Sequence, residues 1–115
     1  MSVHITVSEI AGRQCASSGS KWEPKMGYSR AVRAGNTIAV TGSVGVNADG
    51  TYTPDVGAQA RRSLAIVQAA IEALGGRIEH VIRTRMYVTD VTKWEKVAAV
   101  HGEVEHRTHG CVFHA

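Results

Sequence analysis

Three groups of residues in this chain have types and spacings that could do chemistry. Tyr28 opens a polar stretch that closes on Thr41-Gly42-Ser43, and Ala34-Gly35-Asn36 between them has the composition of a tight turn. A hairpin here brings its two ends together, so both strands can present polar groups to one pocket. Gly42 breaks its strand where a backbone can approach a ligand or a partner closely. Further on, Arg83, Arg85 and Tyr87 alternate and share one strand face. That face reads either as solvated surface or as a subunit interface or pocket wall, where Arg and Tyr are favoured. In the tail, His106, His109, Cys111 and His114 are metal-ligand types within a short span. Their spacing matches no usual zinc pattern and no second ligand pair stands upstream, so a histidine-rich end without a metal is the simpler expectation.

The elements that would position these groups follow from periodicity. Val3, Ile5 and Val7 alternate with His4 and Thr6 and predict a first strand. Ser8 to Ser20 has no sustained period and is expected to be loop. Trp22 is expected to cover the edge of the core rather than bind a ligand. In the hairpin, Ile38 and Val40 fall on one face and Thr37, Ala39 and Thr41 on the other. Val44 to Thr51 carries Asn47 and Asp49-Gly50 and reads as a surface loop.

Asp55 is a suitable cap for a helix whose apolar stripe is Ala60, Leu64, Val67, Ile71 and Leu74, closed by Gly75-Gly76. Glu79 to Thr89 predicts another strand, with Ile82, Thr84, Met86 and Val88 on its inner face. Asp90 and Thr92, with Glu95 three residues later, predict the start of a second helix bearing Trp94, Val97, Ala98 and His101. His101 is expected to be a hydrogen-bonded structural histidine. The order implies one α+β domain over residues 1–115, a sheet with two helices on one face. The other face of the sheet then stays bare in a monomer, which predicts self-association.

Composition narrows the classes. Hydrophobic residues make up 43% and charged residues 20%, as in globular domains. No run of about 18 apolar residues suggests a membrane helix, and no basic-then-apolar start suggests a secretory signal. Cys15 and Cys111 lie in unlike contexts and are expected to be free thiols. A cytoplasmic protein without a membrane partner is the resulting expectation. The net charge is +3, but the basic residues are scattered and no cluster exceeds Arg61-Arg62, which disfavours a nucleic-acid partner.

Gly27-Tyr28-Ser29-x-Ala31-Val32-x-x-Gly35-Asn36-x-Ile38-x-Val40-Thr41-Gly42 resembles the opening hairpin of the Rid (YjgF) family of reactive-intermediate deaminases. The likeness continues through Asp55 to Arg61, Leu74-Gly75-Gly76 and Val81 to Asp90. It implies a chorismate-mutase-like α+β fold, a homotrimer with clefts between subunits, and no metal or organic cofactor. The implied reaction is hydrolysis of enamines and imines of the 2-aminoacrylate type to a 2-oxo acid and ammonia. By motif match Tyr28 resembles the family's cleft tyrosine and Thr41 its Ser/Thr before Gly42. Gly42 and Tyr87 are the expected substrate-binding positions.

The chemistry asks for a guanidinium to fork onto the substrate carboxylate and for hydroxyl and backbone groups to orient a water. The family's Pro-Ala-Arg strand after the second helix is absent here, and its helix asparagine is replaced near Ala98. Arg107 is the residue that could take the arginine's role. The tail therefore reads as a different ending on a family body, with the C-terminal strands altered or missing. A catalytically silent, trimeric carboxylate-binding relative is the alternative expectation, and a ribonuclease or translation inhibitor a more distant one.

Overall fold

In the computed structural model, residues 3–105 are described. The chain runs β1 (Thr6–Ile10), β2 (Arg13–Ser17), α1 (Trp22–Met26), β3 (Ala31–Ala34), β4 (Thr37–Val40), α2 (Val56–Ala73) and α3 (Trp94–Glu105), with single 3-10 turns at Ile78–His80 and Val91–Lys93. This is a small α+β fold, as expected. Its contacts divide it into two compact units. One holds the residues up to Ser43 together with Ala65–Gly76; the other holds Val44–Leu64 and the residues from Arg77 onward.

The first unit is a four-stranded antiparallel sheet in the order β1-β2-β3-β4. Its last hairpin is the one expected. Ala34 pairs with Thr37 across a two-residue turn, and Gly35 alone takes a positive φ, of 60°, as turns that place Gly first require. Ile38 and Val40 are half-buried while Thr37 and Ala39 are exposed, the alternation of a one-sided strand.

The first hairpin is a correction. The stretch expected to be loop contains β2, and Ile10 pairs with Arg13 across Ala11-Gly12. Both turn residues have positive φ, 53° and 77°. Ala-Gly is a weak turn signal, and Arg13-Gln14-Cys15-Ala16-Ser17 lacks an apolar period. What makes it a strand is pairing on both sides, with β1 and with β3, which satisfies its backbone groups.

The core of this unit is built from small residues. Ala16 and Ala31 lie under Ala70 and Leu74 of α2, with Ile5, Ile38 and Val40 packed around them. Alanines at the contact let the helix approach the sheet closely. The helix ends as expected: the Gly76 N–H reaches the Ile71 carbonyl at 2.9 Å and the Gly75 N–H the Glu72 carbonyl at 3.0 Å, with Gly75 at φ 87°. That double bond is a Schellman closure. On the sheet's other face, the row Ser8, Cys15, Val32 and Ala39 leaves Ala39 exposed and Val32 half-buried. Trp22 does not cover the core edge; it is 47% exposed, with Lys21 and Lys25 Nζ at 5.2 and 5.3 Å from its ring centroid.

In the second unit Asp55 caps α2, its carboxylate accepting the Ala58 N–H at 2.8 Å. Asp90 accepts both the N–H and the hydroxyl of Thr92, at 3.0 and 2.6 Å, so the Thr92 hydroxyl is spent on Asp90. α3 packs against the two 3-10 turns, and Val97, Val100 and Ile78 are buried.

The strand expected over Glu79 to Thr89 is corrected. Its start is the 3-10 turn, and residues 81–89 pair with no described residue. Alternation survives without a ladder: Arg83, Arg85 and Tyr87 are exposed while Thr84, Met86 and Val88 are half-buried. Ile82, expected inside, is 74% exposed. A strand pattern becomes a strand only when a neighbour takes up its N–H and C=O groups.

Candidate functional site

The hairpin ends meet around a residue that the sequence reading passed over. Arg30 enters β3 from Ser29, its N–H bound to the Ala16 carbonyl at 2.8 Å and its carbonyl receiving the Thr41 N–H at 3.0 Å. The ladder therefore extends one residue past the named strands and fixes the Arg30 backbone on both sides. Its side chain is buried, only 7% exposed.

All five guanidinium N–H groups are occupied. Nε donates to Ser18 Oγ at 3.2 Å, Nη1 to the Gly42 carbonyl at 2.8 Å and Ser43 Oγ at 3.3 Å, and Nη2 to Glu23 Oε2 at 3.4 Å and Tyr28 Oη at 3.5 Å. A guanidinium has five donors and no acceptor, so Arg30 has nothing left for a substrate carboxylate. It binds the two hairpin ends to each other.

Glu23 supplies the counter-charge. It stands in α1 and is 4% exposed, and its Oε2 also receives the Ser18 N–H at 3.1 Å and the Ser18 hydroxyl at 2.6 Å. Burial pushes the carboxyl's pKa up. Hydrogen bonds from Ser18 and Ser17 and the nearby Arg30 charge outweigh it and hold the group below its ordinary value. α1 is closed by Gly27 at φ 74°, and the Tyr28 N–H returns to the Glu23 carbonyl at 2.9 Å. That turn delivers Tyr28 to the Arg30 guanidinium, which lies 5.5 Å from its ring centroid.

Three of the expected site residues are thus placed together in one unit. Tyr28 is half-buried, and Gly42 is tied to the same arginine. Thr41 is exposed and gives its hydroxyl proton to the Ser29 carbonyl at 2.8 Å, so toward a ligand it can only accept. The Gly42 N–H has no acceptor among the described residues, and a Cβ built on Gly42 would meet nothing within 4 Å. A donor hydroxyl, an acceptor hydroxyl and an open backbone N–H suit a carbonyl-like or imine-like centre with an attacking water.

The other expected residues are elsewhere. Tyr87 belongs to the second unit, is 82% exposed and receives Arg85 Nη1 at 3.3 Å. Arg107 lies outside the described residues, as do His106, His109, Cys111 and His114. Among the described residues no group of three or more His, Cys, Asp or Glu could hold a metal ion. His101 bonds Thr84 Oγ1 through Nε2 at 2.9 Å, the structural role expected of it. Glu23 and Arg30 were missed because seven residues separate them across a non-helical turn, where no sequence period links partners. The one available signal was an Arg in a strand entry otherwise made of small residues.

A helix-backed antiparallel sheet with a polar cluster where its last hairpin begins and ends makes this a small α+β domain. The family profile for endoribonuclease L-PSP matches residues 19–112, and the chain belongs to that family, the YjgF/RutC/Rid family. It is 36% identical over 75 residues to the 2-iminobutanoate/2-iminopropanoate deaminase of Escherichia coli strain K12, a match covering 64% of this chain and 59% of that protein. The chain therefore spans about three fifths of the length of such curated relatives.

Among solved structures, a YjgF/YER057c/UK114-family protein from Mycobacterium tuberculosis superposes with a TM-score of 0.79 at 36% identity. That superposition covers 88% of this chain and 80% of the other. The YjgF gene product of E. coli superposes with a TM-score of 0.69 at 29% identity, covering 76% and 72%.

Proposed function

We propose that this protein is a Rid-type deaminase that hydrolyses short 2-imino and 2-enamino acids to 2-oxo acids and ammonia. The observation that carries the reading is the 36% identity with the E. coli deaminase over 75 residues, together with a family match over residues 19–112 that includes Tyr28, Thr41 and Gly42. In the proposed reaction a proton is added to the enamine carbon as one leaves its nitrogen, giving the imine. Water then adds to the imine carbon, and the tetrahedral adduct expels ammonia as the carbonyl forms. Tyr28 donates its hydroxyl proton toward the nitrogen or the water. Thr41 accepts from the water, and the Gly42 N–H holds a developing oxygen charge. Arg107 is proposed to anchor the carboxylate, since Arg30 is fully engaged.

The same reading includes a homotrimer of chorismate-mutase-like domains, acting in the cytoplasm without a cofactor. The exposed Ala39 and half-buried Val32 on the other sheet face support association. So do the exposed Ile82 and Tyr87 of the second unit. Tyr87 is proposed to wall the cleft.

One observation favours a second reading, a catalytically silent member that still binds small carboxylates: the chain contains no Pro-Ala-Arg. Ammonia release from 2-aminoacrylate generated in situ separates the two. A rate no faster than buffer removes the deaminase. If turnover is found, Arg107→Ala should abolish it, and an unchanged rate removes Arg107 as the anchor.

A further inference from the structure

The buried Glu23–Arg30 pair does no chemistry in the reaction above, yet it touches both ends of the hairpin that carries the reacting groups. Arg30 can only donate. Where Nη2 meets Tyr28 Oη at 3.5 Å, the phenol must therefore be the acceptor. The guanidinium also lies 5.5 Å from the Tyr28 ring centroid, inside the range in which a cation is attracted to an aromatic face. The two contacts fix the ring and occupy an oxygen lone pair. The hydroxyl proton is left over, and no acceptor for it lies among the described residues.

We propose that the Glu23–Arg30 pair is a positioning device that holds Tyr28 as a proton donor at the hairpin end that also carries Gly42. Its kinetic consequence rests on the deaminase reading. Arg30 is held in turn from behind. Glu23 Oε2 bonds it at 3.4 Å and is itself fixed by two bonds from Ser18, whose hydroxyl also accepts Arg30 Nε at 3.2 Å. The same guanidinium holds the Gly42 carbonyl and Ser43 Oγ, and the Ser43 hydroxyl donates at 3.0 Å to the Thr41 carbonyl, which belongs to the same peptide as the Gly42 N–H. One cation thereby sets two donor directions, on the phenol and along the main chain. Lysine carries the same charge but has no planar fork. Arg30→Lys can keep the pairing with Glu23 and cannot also reach Tyr28 and Gly42.

The test has two arms, each using the full-length protein. The chain has three tyrosines, so protein labelled with carbon-13 at tyrosine Cζ gives three signals, and Tyr28→Phe identifies one by its loss. Arg30→Lys should move that signal and leave the other two in place; an unmoved signal overturns the proposal. The second arm is a double-mutant cycle on 2-aminoacrylate hydrolysis. Arg30→Lys should lower kcat roughly tenfold, with KM changed far less, because a displaced donor loses transition-state contact. In the Tyr28→Phe background the same change should cost less than about twofold, since coupled residues are not additive. A full tenfold loss in that background means that Arg30 does not act through Tyr28, and overturns the proposal. If the unaltered protein shows no turnover, the deaminase reading falls, and the labelled tyrosine decides the positioning claim alone.

Discussion

Glu23→Gln isolates the charge of the buried pair. Glutamine keeps the volume of the side chain, and its carbonyl oxygen can still accept the Ser18 N–H and hydroxyl that now reach Glu23 at 3.1 and 2.6 Å. What disappears is the negative charge opposite a guanidinium that is 7% exposed. Removing one partner of a buried pair costs about 3–5 kcal/mol when the remaining charge is stranded. Arg30 would not be stranded, because Ser18, Gly42, Ser43 and Tyr28 still accept from it, and the bond to Glu23 is long at 3.4 Å. The expected loss is therefore about 2 kcal/mol at pH 7, below that range.

The pH dependence follows from the sign of the Glu23 shift. The folded carboxyl titrates below its ordinary 4.5, so its contribution is fully present above the unfolded value and is lost as pH falls through the folded one. The stability gap between wild type and Glu23→Gln should stay constant from pH 7 to about 5.5 and close below the ordinary carboxylate range. Urea denaturation at fixed protein concentration measures it; at a slope of about 2 kcal/mol per molar, the midpoint should fall by about 1 M. Coincident midpoints at pH 7, or a gap still undiminished well below pH 4.5, would refute the charge argument.

Two further predictions concern the second unit. A Cβ on Gly45 would run into the Gln59 carbonyl oxygen and lie 2.8 Å from two other Gln59 backbone atoms. Gly45→Ala should cost about 3 kcal/mol or more in urea denaturation, because backbone cannot swing aside as a flexible side chain can. Asp55→Ala removes the cap on the Ala58 N–H and should cost about 1 kcal/mol, while Asp55→Asn should recover most of it.

Much of the fold was legible because it is written in short windows. The Gly35-Asn36 turn, the alternation from Thr37 to Val40, the Asp55 cap and the Gly75-Gly76 closure each depend on residues within a few positions of one another. The helix stripe was legible only in part. Ile71 and Leu74 are buried as expected, but Ile66 and Ala70 join them, since the buried arc is chosen by where the sheet lies. At the candidate site, Tyr28, Thr41 and Gly42 were named from types and spacing; the arginine that joins them was not.

Sequence alone therefore determined the family, the last hairpin, the two long helices and the three candidate residues at that hairpin's ends, through local conformational preference and motif spacing. The tertiary structure decided which polar stretch became a strand. β2 has pairing partners on both sides, whereas residues 81–89, with a better strand pattern, have none among those described. It also decided that Arg30 is a clamp and not a ligand arginine. Whether a donor is free depends on every acceptor around it, and those acceptors come from Ser18, Glu23, Tyr28, Gly42 and Ser43, gathered by folding from both sides of Arg30 along the chain.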